Sequence, residues 1–241
     1  MFRHQGKTRT SKHNLQIASL LSFVAGIVNI AGFLSVQKLT TNVTGHFAFF
    51  VDEILQLHFW IGIIYFFYII SFLLGAFIAG FMVEFVARKN ENTIYIIPII
   101  TEIILMLFVA LFGENLILNF GDFIACVLLF SMGLQNSLVT KISNSVVRTT
   151  HLTGLFTDLG IELSQLYFYK QFELRLKLFT SIKLRLTIIL FFFLGGIIGG
   201  LFYLKLHLKV LLIAALVLAF GLIFDYIKLK INLFNRKFYQ L

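Results

Sequence analysis

The sequence predicts an all-α membrane protein: six transmembrane helices, arranged as two inverted three-helix repeats with polar Thr-Gly helix breaks. Three observations carry that expectation. The 241-residue chain is 59% hydrophobic with a mean hydropathy of +0.93, yet only 13% of it is charged. A soluble domain of this length does not carry so much apolar surface on so little charge. Six apolar runs approach the ~20 residues needed to cross a hydrocarbon core, and the two halves of the chain repeat the same short motifs in the same order. Strand-like alternation of polar and apolar residues is absent, which argues against an outer-membrane barrel.

The runs fall near 15–36, 59–83, 94–113, 120–140, 185–204 and 209–227. They give four segments: a basic N-terminus at 1–14, a first three-helix repeat at 15–113, a second at 120–227 and a basic C-terminus at 228–241. Residues 1–14 are polar and basic, but no small-x-small cleavage site follows, so the first run is expected to remain as a span. Pro98 falls in the first turn or so of the third run, where a missing N–H costs least. Lys205-Leu-His-Leu-Lys209 joins the last two runs so briefly that a tight helical hairpin is expected.

Charge sets the orientation. The net charge of +9 could point to nucleic acid, but the basic residues lie between and outside the apolar runs rather than in one patch. Only Lys38, Lys205 and Lys209 of the 20 lysines and arginines fall on one side; the others gather on the opposite side. The positive-inside rule then puts both termini in the cytoplasm, with an even number of crossings. The expected partners are the lipid bilayer and an unidentified small molecule or ion, not nucleic acid, and a homodimer fits so thin a bundle. Cys126 is the single cysteine, so no intrachain disulfide can form and the redox compartment is not legible.

The repeat is read from three matches. Phe23-Val-Ala-Gly-Ile-Val-Asn29 aligns with Phe130-Ser-Met-Gly-Leu-Gln-Asn136. Thr41-Asn-Val-Thr-Gly45 aligns with Thr150-His-Leu-Thr-Gly154, after two extra residues in the second copy, and Glu53 and Glu162 each stand eight residues past the glycine. Phe72-Leu-Leu-Gly-Ala-Phe-Ile-Ala-Gly80 aligns with Phe192-Phe-Leu-Gly-Gly-Ile-Ile-Gly-Gly200. Three spans per copy is odd, so the second copy enters from the opposite side, as in many secondary transporters.

The candidate substrate-binding residues are Asn29, Thr44, Gly45, Gln135, Asn136, Thr153 and Gly154. Backbone that leaves a helix at membrane depth must be buried in protein or line a cavity. Thr44-Gly45 and Thr153-Gly154 each precede an amphipathic stretch, 46–57 and 155–168, whose helix a threonine could cap. The free N–H groups of such a helix start favour anionic or electronegative groups. The plainer reading makes them surface loops with capping threonines, and makes the two asparagines interhelical glue. Glu102, His151 and Asp158 are the candidates for proton or ion coupling. An acid inside a span is a functional hypothesis by default, and its plain alternative is a protonated side chain bonded to a neighbouring helix. Asp158 and Glu162, four residues apart, share a face that could simply meet water; His151 could be a solvated loop histidine. The small-residue steps Gly75-x-x-x-Ala79 and Gly195-x-x-x-Gly199 predict close helix contact, between the halves or between protomers.

Signatures of serine hydrolases, zinc proteases and P-loop enzymes are absent, and no paired-cysteine metal site is present, so no enzyme, metal or cofactor is expected. The stretch Met132-Gly-Leu-Gln-Asn-Ser-Leu-Val, followed by Val147-Arg-Thr-Thr-His-Leu-Thr-Gly-Leu-Phe-Thr-Asp-Leu-Gly160, resembles the YoaK family of bacterial inner-membrane proteins, defined by a domain of unknown function. Gly26-x-x-Asn29 and Thr44-Gly45 are similar to it as well. The resemblance implies a polytopic membrane protein of undefined substrate. The expected function is a small secondary transporter or permease for a small anionic or polar metabolite; the alternative is a non-transporting membrane scaffold or sensor.

Overall fold

In a computed structural model, which describes residues 1–2, 9–88 and 93–238, the regular structure is helical. Of the basic residues used for orientation, Arg3, Lys7 and Lys89 lie outside the described residues. The order is α1 (Ser11–Val36), α2 (Val43–Leu55), α3 (Phe59–Ala87), α4 (Ile96–Ser143), α5 (Leu152–Phe168), α6 (Phe172–Leu206) and α7 (Leu211–Phe238), with a 3-10 turn at His207–Val210 between the last two. Four stretches are long and apolar enough to cross a membrane: 11–36, 59–87, 96–143 and 172–228. Large apolar side chains face outward along them, Leu118 at 87% and Trp60 at 83% exposure among others, as expected where the solvent is lipid.

The expected third and fourth runs are fused. α4 carries helical hydrogen bonding through residues 114–119, where a loop was expected, and its one non-helical residue is Phe120 (φ −135°, ψ 38°). At that residue the helix folds back. The Phe108 and Phe123 rings meet with centroids 6.4 Å apart, although a straight helix would hold their Cα atoms ~22 Å apart. α6 and α7 reverse in the same way through the expected hairpin. His207 takes φ 45°, Gly199 of α6 lies against Ile27 and Ile30 of α1, and Gly221 of α7 is already back at Leu20. Pro98 sits in the first turn of α4, as expected. α6 begins 13 residues before the apolar run that predicted it, because Phe172–Leu184 continues the helix with mixed charged and apolar residues.

Two parallel helix pairs make the core. α1 lies along α6, with Gly26 against Phe192 and Gly196, and Gly195 against Phe23. α3 lies along α4, with Gly75 against Phe130, and Gly133 against Phe72 and Ala76. At all four glycines the space of a Cβ is taken by the facing backbone carbonyl. Only glycine lets backbones come this close, and the contact gains dispersion and weak C–H···O attraction. The small-residue steps therefore join the two halves of the chain. At the end of the second pair Lys141 and Glu84 form an exposed ion pair.

Candidate functional site

Each parallel pair ends at a break in the helical backbone. After α1 the chain leaves the helix at Gln37, in the left-handed region (φ 54°), and re-enters at Val43. After α4 it leaves at Asn144 and Ser145 (φ 54° and 64°) and re-enters at Leu152. The threonines named as caps are not the caps. Thr44 and Thr153 lie inside the first turns of α2 and α5, and the side chain that caps α2 is Asn42, accepting from Gly45 N at 3.2 Å. His151 occupies the equivalent position before α5 without a capping bond, and its ring lies over Gly154, where a Cβ would stand 2.5 Å from Nδ1. Gly154 is thus required by the histidine beside it.

The asparagines fasten the breaks. Thr41 Oγ1 donates to Asn29 Oδ1 at 2.8 Å, and Thr40 Oγ1 to the Val28 carbonyl at 3.1 Å. Asn136 Nδ2 donates to Thr150 Oγ1 at 2.6 Å, and Thr149 Oγ1 to Asn136 Oδ1 at 3.3 Å. Gln135 Nε2 is shared between Thr149 Oγ1 and the Leu21 carbonyl of α1, both at 3.1 Å, while its Oε1 is buried without a partner among the described residues. The structure brings Asn136 and Gln135 to the second break and Asn29 to the first. Among the described residues no hydrogen bond joins one break to the other. Along α1 their anchor points, Leu21 and Val28, are seven residues or ~10 Å apart.

The second break opens on a cavity of about 350 Å³, lined by Arg148, His151, Asp158, Ser181, Arg185 and Ile188 among others. That volume is at the small end of ligand sites. Asp158 and Glu162 do not simply face water: Arg185 of α6 grips both, Nη1 to Asp158 at 2.8 Å and Nε to Glu162 at 2.9 Å, and Ser181 adds a bond to Glu162 at 2.6 Å. Arg148 and His151 are exposed at the rim. A second cavity of about 380 Å³, between the starts of α1 and α6, shares Ser181 and Leu184 with the first.

The first break is built differently. His46 of α2, 1% exposed, occupies this break, its ring tilted against Tyr65 and Tyr68 of α3 with centroids 6.0 and 5.0 Å away. Tyr68 donates its phenol to Asp122 of α4, and Lys38 Nζ donates to the Tyr65 hydroxyl at 3.0 Å. Sequence reasoning took Lys38 only as an orientation charge and did not single out Tyr65, Tyr68 or Asp122 as a site, since the α1–α2 connection, α3 and α4 come together only in the fold. Glu102 lies six residues into α4, near the helix start. It is completely buried, and among the described residues neither carboxylate oxygen has a partner.

A family model described as a protein of unknown function, DUF1275, matches residues 17–224. The chain belongs to this family. The resemblance to YoaK proteins agrees with the match, since those proteins are themselves DUF1275 members. No curated protein and no solved structure matches this DUF1275 chain.

Proposed function

We propose that this DUF1275 chain is a small secondary transporter or permease of the bacterial inner membrane, built from two inverted three-helix units and working without catalysis. In this reading the chain crosses six times, since the 96–143 and 172–228 stretches each fold back and each is twice a bilayer's need. Both termini lie in the cytoplasm.

One observation carries the reading: residues matched by the internal repeat make matched contacts. Gly26 meets Phe192 as Gly133 meets Phe72, and Gly195 meets Phe23 as Gly75 meets Phe130. Thr41 bonds Asn29 as Thr150 bonds Asn136. The alignment also pairs Phe49 with Asp158 and Tyr65 with Arg185. Phe49 stacks on Tyr65 at 5.2 Å, and Asp158 pairs with Arg185 at 2.8 Å. The same geometry serves as an aromatic stack in one half and an ion pair in the other. Because each helix pair is parallel and the two pairs exchange partners between halves, rocking one pair against the other would open one break while closing the other.

The substrate site in this reading is the cavity at the second break, with Gly154 in its wall and Arg148, His151 and Asp158 at its mouth; Gln135 and Asn136 hold the break behind it through Thr149 and Thr150, and Thr153 stands beside Gly154 in the first turn of α5. Asn29, Thr44 and Gly45 form the corresponding half-site on the other side. Glu102 would be the coupling acid. A thermal-shift screen of the purified protein against small anions, amino acids, sugars and nucleobases tests the site. A ligand at 100-fold its Kd adds about 2.7 kcal/mol, or roughly 5–11 °C for a chain of this size. Ile188→Tyr, which installs the residue found at the matching Tyr68 position, should fill the cavity and cancel that shift. If no ligand shifts melting and none enters proteoliposomes, the transport reading fails. The scaffold or sensor reading then gains, since the asparagines and threonines of the breaks already satisfy one another.

A further inference from the structure

The two breaks are built on one plan but filled differently, and the filled one contains a group that the transport reading does not use. His46 Nε2–H donates to the Leu39 carbonyl at 2.7 Å, which leaves Nδ1 as the basic nitrogen of the neutral ring. Nδ1 is buried and has no hydrogen-bond partner among the described residues. Its matched position in the second half is Leu155, an apolar side chain on the wall of the open cavity. A leucine would therefore suffice for packing.

The groups facing His46 come from three elements. The α1–α2 connection contributes Lys38 and the Leu39 carbonyl, α3 contributes Tyr65 and Tyr68, and α4 contributes Asp122 and Cys126 beside the Tyr68 ring. On α2 itself, Glu53 is turned to His58 at the far end, at 3.1 Å. The nearest fixed cation is thus Lys38, already seated over the Tyr65 ring at 4.7 Å, so that face is not free to stabilise a second cation. The anion in the cluster, Asp122, is separated from His46 by the phenol that donates to it.

We propose that His46, boxed between Tyr65 and Tyr68 and linked through Tyr68 to Asp122, is a proton-binding site whose occupancy releases α2 from α3 at the first break. A proton added to Nδ1 creates a buried cation with an unsatisfied donor beside Lys38. That state is relieved when α2 moves away and the ring reaches water. The proton enters from the side of the membrane on which the first break lies, opposite the cavity of the second. The site is independent of any substrate and stands even if nothing is transported.

The test uses the full chain in lipid nanodiscs. Thr40→Cys, in a Cys126→Ser background, places a thiol at a position that is completely buried while the break is closed. Its reaction with a charged methanethiosulfonate is read relative to an exposed control, Gln56→Cys, which cancels the reagent's own pH dependence. Between pH 8 and pH 5 the relative rate should rise about tenfold with His46 present, and stay flat in His46→Leu. In a second variant, Asp122→Asn, loss of the nearby carboxylate should move the midpoint to lower pH. A flat profile with His46 present, or an equal rise in His46→Leu, overturns the proposal; an unmoved midpoint in Asp122→Asn overturns the link to Asp122.

Discussion

Gly133→Ala is the most informative single change in the core. A methyl placed on Gly133 would stand 2.9 Å from the Phe72 carbonyl carbon and 3.1 Å from Ala76 N, and closer still to the Phe72 oxygen. Non-bonded carbon contacts settle at about 3.5–4.0 Å, so α3 and α4 must part by at least ~0.6 Å over the contact. Both atoms belong to helical backbone, so no rotamer change can absorb the methyl. Overpacking of this kind costs ~1–3 kcal/mol, against the ~1 kcal/mol that alanine gains over glycine in a helix interior. Because backbone faces backbone, the cost falls in the upper part of that range, ~2–3 kcal/mol, so the net loss should be about 1–2 kcal/mol, a fall in Tm of roughly 2–8 °C. Thermal unfolding in detergent, followed by light scattering and tyrosine fluorescence, reads it. Gly160→Ala is the control: nothing lies within 4 Å of that Cβ, so the same exchange should leave Tm unchanged or raise it. Gly26→Ala, whose methyl would stand 2.8 Å from Gly196 N, should match Gly133→Ala. A Gly133→Ala protein as stable as the parent would refute the close contact and, with it, the matched crossings.

Two further outcomes follow from the same geometry. Asn136→Ala and Thr150→Ala should each cost stability, and a double-mutant cycle should return a coupling of about 0.5–1.5 kcal/mol; coupling near zero would mean that the 2.6 Å bond between them does not hold the break closed. Glu102→Gln should keep or raise Tm, because the amide replaces a buried acid with no partner for either oxygen. A fall of several degrees would instead reveal that the carboxylate is engaged in the folded protein.

Much of this fold was legible because bilayer crossing imposes length and composition on each helix separately. Six apolar runs and the Pro98 start are properties of local sequence, and all reappear inside α1, α3, α4, α6 and α7. The glycine matches were legible for a related reason, since Gly75 and Gly195 can be recognised as contact residues before their partners are known. What they touch could not be read: that Gly26 faces Phe192 depends on a partner exchange between halves. The fold-back at Phe120 was also hidden, because residues 114–119 look polar enough for a loop but satisfy their backbone within α4. At the breaks, threonine preference misplaced the cap by two residues, while Asn42 bonds Gly45 N. The His46 cluster was least visible of all. Its members come from four stretches of chain, and each is an ordinary residue until the fold assembles them.

The partner exchange has a consequence for biosynthesis. α3 finds its companion segment of α4 about 60 residues later, a wait of roughly 3–12 s at ~5–20 residues/s. Gly26 must wait about 170 residues for Phe192 and Gly196, or roughly 8–34 s at that pace. For most of its synthesis, therefore, the first helix rests in lipid with its carbonyl-lined groove uncovered. The last helices to emerge are the ones that close the earliest seam, and a chain arrested before α6 leaves that face of α1 open to lipid.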